Sequence, residues 1–77
     1  MNEYSDHELD QAAATAARRF DLDDPEAREL VDLVATAFSD GGDAISDAAW
    51  DVQDRDPGID GDDFVDDVAD SLGYDLP

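Results

Sequence analysis

The side chains able to do chemistry in this 77-residue chain are almost all carboxylates. Nineteen Asp and four Glu stand against four Arg, with one His, no Lys and no Cys. General acid–base catalysis needs a carboxyl or imidazole poised beside a reacting group. Here carboxylate pairs at i, i+3 or i+4 recur because Asp is abundant, so their spacing singles out no acid or base. His7 falls in the first turn of the first expected helix, exposed and without an obvious nucleophile nearby. The absence of Cys excludes disulfides, thiolate zinc sites and cysteine nucleophiles. No glycine-rich phosphate loop follows a strand, and a bundle this small has little room for a substrate pocket of ~300 Å³. The sequence predicts a noncatalytic chain without a cofactor.

Cation binding is the next chemistry to weigh. The run Asp56-Pro57-Gly58-Ile59-Asp60-Gly61, followed by Asp67, partly resembles an EF-hand loop. Asp56 matches position 1, Asp60 position 5, Gly61 the turn glycine at 6, and Asp67 stands where a bidentate Glu closes the site at 12. Gly58 supplies no ligand at position 3, Pro57 stiffens position 2, and Asp63 replaces the apolar residue at 8. Asp67 is also one methylene short of the Glu, and Asp60 has a sufficient role as a helix cap. No specific metal site is expected, only weak and nonspecific cation association.

The four arginines have structural explanations. Arg28 follows Asp24 by four and Arg55 follows Asp51 by four, both favourable for helix ion pairs. Arg18 and Arg19 close the first helix, where they complement its dipole. A DNA-reading third helix would present Asp43, Asp47, Asp51 and Asp54, the wrong sign for a phosphate backbone. Nucleic acid is therefore not the expected partner.

Trp50 is the most informative single residue. It stands five positions from Ile45, about 140° round the helix from the centre of the apolar stripe. If that stripe alone faces the core, the indole points outward as a protein contact, since large exposed aromatics are enriched at binding hot spots. Alternatively the third helix buries two faces, or Trp50 covers the Pro57-Gly58 turn. Tyr74 and Leu76, in a short tail that either packs back or frays, are the other candidate partner contacts.

The elements that must hold these residues are four short helices without strands, at roughly 6–20, 25–38, 44–54 and 61–72, with a tail over 73–77, all in one domain spanning 1–77. Ser5 and Glu8 make a capping box, and Tyr4 and Leu9 occupy the two positions of a hydrophobic staple. Leu9, Ala12, Ala13, Ala16, Ala17 and Phe20 then form one face, whose alanines permit close helix approach. Asp24 is expected to cap the second helix with Pro25 as its first residue. Its stripe is Ala27, Leu30, Val31, Val34, Ala37 and Phe38, widened by Leu33. Asp43 is expected to cap the third helix, with Ile45, Ala48, Ala49 and Val52 inward. Asp60 caps the fourth between stapled Ile59 and Phe64. Phe64, Val65, Val68, Ala69 and Leu72 face inward, and Gly73 takes a left-handed C-cap.

A net charge of −19 sets the conditions under which such stripes can meet. Leu, Ile, Val and Phe total 16 residues, near the ~20 % level below which disorder is expected. At about 1 M salt the Debye length is only ~3 Å, so the self-repulsion is screened. The lack of Lys, the preference for Asp over Glu and the alanine stripes resemble the proteome-wide style of extreme halophiles. The sequence also lacks a membrane-spanning apolar run and a signal peptide at its start. The expectation is a small structural or interaction protein, cytoplasmic in a high-salt organism or virion-associated, acting as an oligomer subunit, adaptor or virion component through helix-face packing. Its partner would be another protein or a second copy, because a domain this size has a thin stability margin. The alternative is a regulator of nucleic-acid machinery, either an acidic DNA-mimic decoy or an atypical helix-turn-helix binder.

Overall fold

The computed structural model describes residues 4–75. Four helices follow one another: α1 (Asp6–Phe20), α2 (Asp24–Asp40), α3 (Asp43–Arg55) and α4 (Gly61–Leu72). There are no strands among the described residues. Each helix packs on its chain neighbours, α1 closes on α4, and α2 touches α4 across the middle. The result is a small all-α bundle with one core.

Ser5 starts α1 from an extended conformation, its Oγ accepting from the Glu8 amide at 3.2 Å. The Ser5 hydroxyl also donates to Glu8 Oε1 at 3.3 Å. Glu8 thus answers the serine side chain, whereas a full capping box would turn it to the serine amide. Tyr4 and Leu9 are half-buried against the core, as the staple requires. Ala12, Ala13, Ala16 and Ala17 are all buried.

Helix α1 ends at Asp21, a non-glycine residue in the left-handed region (φ 56°, ψ 55°). A Cβ there strains the backbone by about 1 kcal/mol, which Asp and Asn bear better than most residues. Asp21→Gly is expected to stabilise the chain by about 0.5–1 kcal/mol in thermal melts. Asp21→Asn separates the two contributions: it removes the charge and keeps the Cβ, so a similar gain would assign the effect to electrostatics.

Helices α2 and α3 start one residue earlier than the sequence suggests. Asp23, extended at φ −69° and ψ 146°, is the N-cap of α2, and its side chain makes no capping bond. Asp24 is therefore inside the first turn, with Pro25 behind it. Gly42 takes the N-cap of α3, which places Asp43 in the first turn. Both acids still sit where the helix dipole favours negative charge. At their far ends α2 runs on to Asp40 and α3 to Arg55.

The core is filled by Phe38, Phe64, Val31, Val34, Val52 and Val68. Burying each phenylalanine contributes roughly 2–3 kcal/mol. Phe64 also meets Phe20 with ring centroids 5.3 Å apart. Ala35, outside the expected stripe, is buried too, while Leu33, Ile45 and Leu72 are half-buried. Asp60 caps α4 as expected, accepting from the Asp62 amide at 3.0 Å. Gly61 lies so close to α3 that an added Cβ would stand 2.0 Å from the Ala49 carbonyl oxygen. At the other end Gly73 is left-handed (φ 75°), and the Tyr74 amide returns to the Ala69 carbonyl at 2.8 Å.

Three of the four arginines tie different helices together. Arg28 on α2 reaches Asp10 and, at 3.2 Å, Asp6 on α1, and bonds Asp32 at 3.0 Å. Its expected pairing with Asp24 is replaced by Asp32, one turn further on, because the guanidinium then also reaches the two α1 carboxylates. The Asp32 hydrogen bond is the largest cause of a raised Arg28 pKa, and Asp10 adds to it. Arg55 on α3 bonds Asp51 at 3.4 Å, as expected, and Glu29 on α2 at 3.4 Å. Arg19 on α1 bonds Asp67 on α4 at 3.3 Å and lies over the Phe20 ring. Arg18 makes no ion pair among the described residues.

Candidate functional site

Trp50 projects from the outer face of α3 and is 70 % exposed. Because α3 packs on α2 and α4 through Ala48, Ala49 and Val52, it buries one side only. The reading in which it buries two faces is excluded. The indole, with Gln53, Asp54 and Pro57, borders an open depression of about 270 Å³. Trp50 and Pro57 thus border one open depression, so the indole stands beside the turn that one reading of the sequence has it cover.

The surroundings of that depression are fixed by hydrogen bonds. Asp56 accepts from the Gly58 amide at 3.3 Å, and its carbonyl accepts from the Ile59 amide at 3.0 Å. Gln53 accepts from the Gly61 amide at 3.4 Å, which ties α3 to the start of α4. Buried Ile59 anchors the link from below. A rigid turn therefore sits next to the exposed indole.

At 100° per residue, Asp43, Asp47, Trp50 and Asp54 fall within about 60° of one another on α3. All four are exposed. Among the described residues none of these three aspartates makes an ion pair, whereas Asp51, further round the helix, is held by Arg55. The strip is thus an exposed indole with unneutralised carboxylates one turn before and after it.

Tyr74 is engaged differently. Its ring stacks on Phe38 with centroids 4.2 Å apart and planes 1° from parallel. The half-buried ring extends the core, so the tail packs back at this residue. Leu76 lies outside the described residues. Tyr4 is half-buried against the same core, near enough to Tyr74 to feel its charge. Burial raises its pKa above 10, and the charges of Tyr74 and Glu8 raise it further. A raised acid pKa favours the folded state below the unfolded value, and the benefit is lost as pH climbs through the folded pKa. Thermal stability is therefore expected to fall as pH climbs above about 10, and to fall less in Tyr4→Phe. Tyr74→Phe keeps the stack and should lower the Tyr4 midpoint in an absorbance titration.

The EF-hand-like residues do not converge. Asp60 caps α4, Asp56 closes its own turn, and Asp67 faces Arg19. No group of three or more acidic or histidine side chains among the described residues could hold a metal. His7 is exposed, with Nε2 3.2 Å from Gln11 Nε2. The helix-turn-helix arrangement gains nothing either, since α3 turns carboxylates outward.

The burial of Asp67 is what the apolar pattern of α4 hides. The side chain is 7 % exposed, with Oδ1 on Arg19 and Oδ2 buried without a hydrogen-bond partner. Phe64, Val65, Val68 and Ala69 define an inward face whose centre lies far from Asp67. Contacts with three helices widen the buried arc of α4 to about 200°, and Asp67 falls at its edge.

The fold defines this chain as a small all-α helical bundle in which no described helix is long and apolar enough to cross a membrane. Compared with family models, with curated proteins and with solved structures, the chain matches none.

Proposed function

We propose that this chain is a small noncatalytic interaction or structural domain that docks a protein partner, or another copy of itself, by packing a helix face. Its settings would be an oligomer, an adaptor or a virion, in the cytoplasm of a high-salt organism or in its virus. The observation that supports this is Trp50, the exposed large apolar side chain of a domain that buries its other aromatics wholly or in part. A net charge of −19 with no lysine supports the saline setting, because molar salt screens the repulsion between the aspartates.

Sedimentation, circular dichroism and Trp50 emission across about 0.1 to 3 M KCl test the reading. The expected result is folding that strengthens with salt, and a blue shift of the single indole on association with itself or with proteins from a high-salt lysate. A monomer that retains no partner at any salt concentration would defeat the proposal. A compact molecule in nearly salt-free water that retains a nuclease or polymerase would favour the DNA-mimic alternative.

A further inference from the structure

We infer that the outer face of α3 is a receptor for an arginine-bearing segment of a basic protein, with the guanidinium stacked on Trp50 and hydrogen-bonded by Asp47 or Asp54. This rests on the interaction reading above and specifies the chemistry of the partner. The strip supplies both parts of such a site. An indole is the best aromatic face for a cation, and here it is 70 % exposed. Asp47 precedes Trp50 by three residues and Asp54 follows it by four, the spacings at which helix side chains are surface neighbours.

The chain's own cations do not serve this face. Arg19, Arg28 and Arg55 are engaged with Asp67, with Asp6, Asp10 and Asp32, and with Asp51 and Glu29, and Arg18 on α1 makes no ion pair with Asp43, Asp47 or Asp54. Asp43, Asp47 and Asp54 therefore present uncompensated negative charge beside an apolar plane.

Charge complementarity decides between occupants. A purely apolar partner would strip water from these carboxylates and return no hydrogen bonds, which is costly. A second copy brings another −19, three of its four arginines already hold its own carboxylates, and only Arg18 is left against that charge. Nucleic acid is repelled outright. Arginine suits the strip better than lysine, because its planar guanidinium stacks on aromatic rings while its edge N–H groups donate to carboxylates. Molar salt would weaken long-range attraction but leave stacking and hydrogen bonds at contact range.

The test uses the whole chain in about 1 M KCl and a blocked Gly-Arg-Gly-Arg-Gly peptide, with the lysine analogue as comparison. The arginine peptide is expected to shift Trp50 emission to the blue in a saturable way and to bind several-fold more tightly than the lysine peptide. Trp50→Leu and the pair D47N/D54N should each weaken binding by about tenfold in calorimetry. The pair D62N/D66N removes the same charge from α4 and should change binding by less than about twofold. Equal losses from the two Asn pairs would overturn the assignment, since net charge alone would then explain binding. Absence of a saturable shift would overturn it too. An emission shift that grows with protein concentration and needs no peptide would also overturn it, while leaving the broader interaction reading standing.

Discussion

Gly61→Ala is expected to destabilise the bundle by roughly 2–3 kcal/mol, lowering Tm by about 10–20 °C. In an unobstructed helix the same change would gain up to about 1 kcal/mol from propensity, and less in the first turn. The contact with α3 reverses that sign. A methyl at this position would stand 2.0 Å from the Ala49 carbonyl oxygen and 2.7 Å from its carbon. Both atoms belong to helical backbone, which cannot swing aside as a side chain can, so α3 and α4 must separate. Separation would loosen the burial of Phe64 and Val52 and stretch the bond from Gly61 to Gln53. Gly58→Ala is the control, because its Cβ would meet only Asp56 Oδ1, at 3.5 Å. Melting followed by circular dichroism should show a large loss for the first variant and almost none for the second. Comparable losses would mean that the α3–α4 contact is not the limiting one.

The second large effect lies at the α1–α4 contact, where Asp67 is buried and Arg19 is not. The arginine side chain is 59 % exposed, so solvent screens the attraction and the pair itself contributes little. The cost of losing Arg19 is the cost of leaving a buried carboxylate unpaired, because Asp67 Oδ2 already lacks a partner. Arg19→Ala is expected to destabilise by about 1–3 kcal/mol. Asp67→Val removes the buried charge, fills the same space with apolar atoms and should be neutral or stabilising by about 1 kcal/mol. The double variant should behave like Asp67→Val alone, giving a strongly non-additive cycle in denaturant titration. Additive losses would show instead that Arg19 acts through its contact with the Phe20 ring.

Much of this molecule was legible in its sequence for identifiable reasons. Ser5, Asp60 and Gly73 announce helix ends through chemistry confined to one turn, and each performs the role read from it. The apolar stripes likewise report local periodicity, and Trp50 lies where the geometry of a single helix puts it. What could not be read depends on separate helices. Gly61 looks like a turn glycine until α3 is placed against it, and Asp67 is one of nineteen aspartates until α1 and α4 enclose it. Arg28 has acids on both sides in sequence. Only the position of α1 decides in favour of Asp32, Asp10 and Asp6. Abundant aspartate erases the contrast by which a particular acid would stand out.

Tyr74, stacked on Phe38, lies near enough to Tyr4 to act on its charge, so the two ends of the described chain are neighbours on the core. A ring of helices whose ends adjoin has no privileged first member. Joined by a short bridge and reopened between α2 and α3 at Gly41-Gly42, the four segments would retain the same neighbours in a circularly permuted order. Adjacent ends would likewise let the bundle be inserted into a surface loop of another protein without prying that loop apart.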